Sequence, residues 1–116
     1  MTWSDMMERV HEVVSGQIRL SHRAQFFKLH STVLLPIMRD VGVRPVKLLI
    51  TEIGHYGRFL DIYAYNNLAE YEELTDRLLQ HPSMPKYYED VGQCISGSIE
   101  VQIMQELPYA AEWVEA

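Results

Sequence analysis

The sequence predicts an α+β domain of βαββαβ order with a four-stranded antiparallel sheet, and three observations carry it. Residues 10–18, 58–65 and 94–106 alternate apolar and polar residues with period two, and 46–53 is a continuous apolar run. Apolar residues at helical spacing follow the segments 10–18 and 58–65. Glycine and proline fall mostly between the segments, with Gly16, Pro36, Pro85 and Gly97 inside them.

The first strand is placed at Val10 to Ile18, where Val10, Glu12, Val14, Gly16 and Ile18 share one parity; Gly16 marks a bulge or a close approach. Ser21 is the expected N-cap of a helix whose stripe is Phe26, His30, Val33, Ile37 and Val41, widened by Phe27, Leu34 and Met38. Pro36 lies inside it and should kink it near Leu35, and Gly42 should end it. The run Val46 to Ile53 reads as a strand covered on both faces. The stretch Gly54-His55-Tyr56-Gly57 then reverses the chain into Arg58 to Tyr65, completing a hairpin.

Asn67 with Glu70 has the spacing of a capping box for a helix burying Leu68, Tyr71, Leu74 and Leu78, with Glu73 and Arg77 paired outside and His81-Pro82 as its stop. Residues 83–91 form a further short helix before Gly92. The last strand puts Ile95, Ile99, Val101 and Ile103 on one parity and Ser96, Ser98, Glu100 and Gln102 on the other. The order is ferredoxin-like. The tail leaves the sheet at Pro108 and carries Trp113, a large apolar surface to leave in water.

Composition limits the function. The 116 residues form one domain, 1–116, with 47 % apolar and 22 % charged residues. A chain this short buries only about two-thirds of its unfolded surface, which leaves room for a partner subunit. Ten basic against sixteen acidic residues give a net charge of −6, which argues against nucleic acid or an anionic membrane as partner. Cys94 stands alone, so no internal disulfide is possible. Asp5 and Glu8 sit where a targeting peptide would be basic or apolar, and no apolar run nears the roughly 20 residues of a membrane span. A soluble, cytoplasmic domain is expected.

Both faces of the expected sheet carry large apolar groups: Leu60 and Ile62 beside Ile99 and Val101, and Phe59, Tyr63 and Tyr65. At about 25 cal/mol per Å² of apolar area, leaving these wet forgoes several kcal/mol. Face-to-face packing of two sheets in a homodimeric barrel solves the problem; the alternative is a tail folded over its own sheet.

The stretch Thr51 to Val91 resembles the NIPSNAP family of dimeric α/β-barrel proteins. The resemblance rests on Glu52 and Gly54 in the turn, Tyr63 and Tyr65 closing the strand, Asn67-Leu68-Ala69-Glu70 at the helix start, and Pro82 before Tyr87 and Tyr88. Ser98 and Glu100 on the last strand and Glu12 on the first also fit, while Val14 and Gly16 replace the Arg and Tyr usual there. The resemblance covers roughly residues 10–106 and implies a dimeric α/β barrel without an agreed reaction. The wider superfamily includes cofactor-independent monooxygenases and haem-handling enzymes, an analogy of fold only.

Polar residues on otherwise buried strands are the candidate site: Glu12, Asp61 and His30 as proton-handling groups, with Tyr63, Tyr65, Ser98 and Glu100 against a substrate. Carboxyls crowded into a poorly solvated site are held protonated to higher pH. Asp61 and Glu100 could instead pair with Lys47, Arg19 or Arg58. His30, mid-stripe, has the chemistry of a general base or haem ligand, or of a core histidine bonded to a neighbour. No histidine pair has metal-site spacing, His22 and His30 coming nearest, and no glycine-rich phosphate loop, GxSxG elbow or CxxC pair occurs, so no metal or cofactor is expected. Cys94, with no base near it in sequence, reads as packing. Three functions follow: a small, partly apolar molecule bound between sheet and helices, a cofactor-independent monooxygenase or isomerase, or an adaptor using the acidic face Glu70, Glu72, Glu73 and Asp76.

Overall fold

A computed structural model of the chain describes residues 9–114. The strands are β1 (Val10–Ile18), β2 (Arg44–Ile50), β3 (Arg58–Tyr65) and β4 (Ile95–Gln105), and the sheet order is β2-β3-β1-β4 with every pair antiparallel. The helices are α1 (Arg23–Leu29), α2 (Leu35–Val41), α3 (Leu68–Gln80) and α4 (Met84–Gly92). This is the ferredoxin-like α+β arrangement, with the helices on one face of the sheet and the core between the layers.

Register decides which side chains enter that core. Glu12 stands opposite Tyr63, Val14 opposite Asp61 and Gly16 opposite Phe59, so even positions of β1 and odd positions of β3 share the helix face. Phe59, Asp61, Tyr63 and Tyr65 are all buried there, while Leu60, Ile62 and Ala64 on the other face are half-buried. Gly16 is a close approach, as its place in the strand suggested: a Cβ there would lie 2.9 Å from the Phe59 ring and 3.4 Å from Ile99. The register of β4 against β1 also slips beside it, between Ser15 and Gln17.

The segment from Leu20 to Val41 is helical throughout but not uniform. A 3₁₀ turn over Leu20–His22 leads into α1, and a π-helical turn, His30–Leu34, joins α1 to α2. Pro36 explains the turn: it has no N–H to give and its ring presses on the preceding turn, so the helix widens before it and Leu35 N–H reaches back to the His30 carbonyl. The sequence placed this irregularity near Leu35; it lies one turn earlier. Gly42, in the left-handed region at φ 104°, ends α2 as expected. Ser21 is not the cap, since its hydroxyl lies 2.9 Å from His22 Nδ1 and the residue before α1 makes no side-chain cap bond.

The second correction concerns β2. Rather than being covered on both faces, it is a sheet edge, exposed at every residue from Arg44 to Leu49. A continuous apolar run cannot by itself separate a doubly covered strand from one that waits for cover. The loop 51–57 then reverses the chain, held by Thr51 N–H to Arg58 O at 2.8 Å and Gly57 N–H to Thr51 O at 3.1 Å.

The Asn67 side chain caps α3, accepting from Glu70 N–H at 2.8 Å. The Glu70 carboxylate turns back one residue further than in an ideal capping box, to Asn66 N–H at 3.2 Å, and also meets Arg44 at 3.1 Å. The tail does not fold over the sheet: after a 3₁₀ turn over Ala110–Glu112, Trp113 is 81 % exposed.

Candidate functional site

Four parts of the chain converge on one cavity of about 200 Å³ between sheet and helices. β1 supplies Glu12 and Val14, β3 supplies Asp61 and Tyr63, the π turn supplies His30, and α4 supplies Tyr87 and Tyr88. Most of the remaining wall is apolar, from Phe26, Leu34, Met38, Phe59, Leu78 and Met84, and Ile99 and Val101 of β4 stand half-exposed at its rim. Among the described residues neither a lysine nor an arginine lines it. An apolar cavity of roughly 150 Å³ admits benzene, so this space suits one substituted six-membered ring.

At one end His30 Nε2 donates to Asp61 Oδ2 at 2.7 Å, and the Tyr63 hydroxyl donates to the same oxygen at 2.9 Å. A carboxylate only accepts, so Nε2 carries a proton in this contact, and it is Nδ1 that holds the lone pair whenever the ring is neutral. The ring is held from below by Phe26, stacked at 5.4 Å and 20°. Burial, reinforced by the Asp61 charge, pushes the Tyr63 and Tyr87 hydroxyls far above their ordinary range, so both stay neutral and Tyr63 is held as a donor to Asp61.

At the other end Glu12 accepts from Tyr65 at 3.2 Å and more weakly from Tyr71 at 3.4 Å. Those two bonds favour the carboxylate, yet burial outweighs them and raises the Glu12 pKa above its ordinary 4.5. Glu12 faces Tyr63, and Asp61 is its diagonal neighbour across the β1–β3 pair. Such neighbours stand about 7–8 Å apart along the backbone, and the two carboxyl groups have separate partners, Tyr65 and Tyr71 for Glu12 and His30 and Tyr63 for Asp61.

The structure thus brings Glu12, Asp61, His30 and Tyr63 together at one cavity, with Tyr65 behind Glu12 as its hydrogen-bond partner. It does not bring Ser98 and Glu100 there. Both are exposed; Glu100 pairs with Ser15 of β1 and its carboxylate lies 3.6 Å from Arg58, one of the partners weighed for it. The parity of Ser15 is that of the outer face, so Glu100 belongs to the surface opposite the helices.

Tyr71, Tyr87 and Tyr88 escaped notice as site residues. Met84, Tyr87 and Val91 recur at helical spacing and are all buried, so the stripe of the short helix held the signal for Tyr87. Cys94 is wholly buried, and burial raises its thiol, consistent with packing. Within the acidic face of α3, Glu70 is engaged by Arg44 and Glu73 by Arg77. Among the described residues no cluster of three or more His, Cys, Asp or Glu is arranged to hold a metal ion, and no helix is long and apolar enough to cross a membrane.

Topology and site together define a small α+β domain of ferredoxin-like order with a polar pair set in an apolar pocket. The chain belongs to the NIPSNAP family, whose model matches residues 11–111. Among solved structures it is similar to an uncharacterised NIPSNAP-like domain protein from Burkholderia xenovorans, with TM-score 0.77, 17 % identity and 89 % of each chain covered. A NIPSNAP family protein of unknown function from Agrobacterium tumefaciens superposes with TM-score 0.75 at 19 % identity, over 86 % of this chain and 89 % of that one. A protein from Nitrosomonas europaea, described provisionally as an antibiotic biosynthesis monooxygenase, superposes with TM-score 0.68 at 12 % identity, over 88 % and 93 %. At these identities the likeness is one of fold. No curated protein matches the chain.

Proposed function

We propose that this protein binds a small, neutral, monocyclic molecule in the cavity and moves a proton on it, with His30 as general base and Glu12 as general acid. The observation that carries the proposal is the His30–Asp61 contact at 2.7 Å in the wall of a mostly apolar cavity that Glu12 also lines. A buried imidazole oriented by a carboxylate has its proton placed and its other nitrogen available. Two carboxyl groups and, among the described residues, no lysine or arginine at the cavity disfavour an anionic ligand.

The chemistry balances without a further reactant. The imidazole takes a proton from carbon beside a carbonyl, Glu12 gives its proton to the carbonyl oxygen, and an enol results. Where the ligand carries a double bond β,γ to the carbonyl the enol is a dienol, and return of the two protons, one to the γ carbon, isomerises the ligand and restores both side chains. Asp61 orients His30 and stabilises the imidazolium that forms, and Tyr63 holds Asp61.

A homodimer is part of the same proposal. The radius of gyration is 15.3 Å, against about 13 Å for a compact domain of this length. Leu49 on the outer sheet face and Met104 on β4 are each more than half exposed. A second sheet packed on this one would cover such groups.

The test is an NMR titration of the His30 ring with p-cresol and with 4-hydroxyphenylacetate, its anionic twin. Saturable shifts with p-cresol and none with the carboxylate are expected. Tighter binding of the carboxylate, or no shift with either, overturns the proposal.

A further inference from the structure

Asp61 and His30 border two spaces. Besides the cavity, a groove of about 350 Å³ lies between α1 and β2, lined by Phe27, Ser31, Leu35 and Leu48 and again by His30 and Asp61. Four residues line both spaces: Phe26, His30, Phe59 and Asp61. They are contiguous. Phe59 and Phe26 have ring centroids 4.9 Å apart, Phe26 stacks on His30 at 5.4 Å, and His30 bonds Asp61. Cavity and groove are therefore divided by a partition one side chain thick, with the polar pair at one end. The π turn makes this possible, because Leu34 lines the cavity while Ser31 lines the groove, with His30 opening the turn between the two spaces.

A second observation concerns Asp61. Its side chain is 5 % exposed, yet both of its donors use Oδ2, and Oδ1 receives none from the described residues. Oδ1 is not among the fully buried unpaired atoms, so it keeps a small exposure to solvent, and a carboxylate oxygen with no protein donor is ordinarily answered by a water donor. The groove, far larger than the space one water occupies, can bring that donor in from solvent.

We infer that the groove under Ser31 and Leu48 is a second entrance, admitting water to the His30–Asp61 pair while the cavity holds its ligand. Its consequence rests on the proposed role of His30 as base. A proton taken by the imidazole from a bound ligand passes to water on the groove side. The pair returns to its starting protonation state, the ligand stays neutral as the enol that Glu12 protonated on oxygen, Glu12 is left a carboxylate, and the water gains the proton lost from carbon. A ligand can then exchange its proton with solvent without leaving the cavity.

The experiment measures acylation of His30 by diethyl pyrocarbonate, a small neutral reagent for unprotonated imidazole, by mass spectrometry of the peptide, with exposed His55 as internal reference. Ser31→Trp and Leu48→Trp each narrow the groove from half- or fully exposed positions, and Val101→Trp narrows the cavity rim. Having two groove variants guards against one failing to fold, which circular dichroism reports. The expected result is that His30 acylation falls at least tenfold relative to His55 in the groove variants and persists in Val101→Trp. Unchanged acylation in both folded groove variants overturns the second entrance, as does a wild-type His30 that never reacts while His55 does. The p-cresol titration separates this from the function proposed above. Failure there removes the ligand and leaves the access result standing, whereas retained p-cresol binding with unchanged acylation removes only the entrance.

Discussion

His30 and Asp61 are 31 residues apart in sequence and meet through Nε2 and Oδ2 at 2.7 Å, one from a π turn and the other from the middle of a strand. Tyr63, two residues along that strand, reaches the same oxygen. Two donors on one oxygen make the pair rigid and leave the second oxygen open.

That asymmetry separates two substitutions. Asp61→Asn can place its amide oxygen at Oδ2 and its NH₂ at the unclaimed position, so both hydrogen bonds survive as neutral ones, at a cost of about 1–2 kcal/mol. Asp61→Ala strands two buried donors and should cost about 3 kcal/mol or more. Urea unfolding of the two variants should show that order, with binding of p-cresol kept in Asp61→Asn.

Glu12 gives a pH dependence with a definite sign. Its folded-state pKa lies above the ordinary 4.5 because burial outweighs the hydrogen bonds from Tyr65 and Tyr71. Above 4.5 the folded chain holds this proton more tightly than the unfolded chain, so stability falls as pH rises toward the folded pKa. Below 4.5 both states are protonated and the penalty vanishes. Glu12→Gln should therefore match the wild type in Tm near pH 4 and gain on it as pH rises to 7.

Gly16 sets the width of the cavity. A methyl group there meets the buried Phe59 ring at 2.9 Å, and Phe59 and Ile99 both line the cavity. Gly16→Ala should cost about 1–3 kcal/mol, as overpacking does, and weaken p-cresol binding by pushing Phe59 inward. Denaturant melts and the titration read the two effects separately.

The outer sheet face predicts association. Leu49 is 52 % exposed on an edge strand beside Leu60, so Leu49→Glu should convert a dimer to a monomer with its secondary structure intact. Light scattering coupled to size exclusion gives the mass of each.

Element order, three of the four strands and α3 were legible because each has one clean period: Val10–Ile18 and Arg58–Tyr65 alternate, and Leu68–Gln80 carries a capped stripe. The edge position of β2 was not, since Val46 to Ile53 reads the same whether a strand is covered by its own helices or exposed. Glu12, Asp61 and His30 could be named because polar groups on buried parities are rare. Ser98 and Glu100 were misplaced because alternation within a strand does not say which of its two faces meets the helices; the pairing of Ser15 with Glu100 puts their parity on the outer face, and the two-residue jump between Ser15 and Gln17 leaves that parity unchanged. Nor does sequence spacing show that His30 would open a π turn, because that depends on how the chain accommodates Pro36.

Proton transfer at the His30–Asp61 pair is the central claim, and deuterium incorporation into cyclohexanone in D₂O tests it most directly. This probe is neutral, single-ringed and carries exchangeable hydrogens beside its carbonyl. The account predicts saturable acceleration by the wild type, a loss of at least tenfold in His30→Gln with the fold retained, and inhibition by p-cresol. Equal rates for wild type and His30→Gln, with p-cresol without effect, would contradict it.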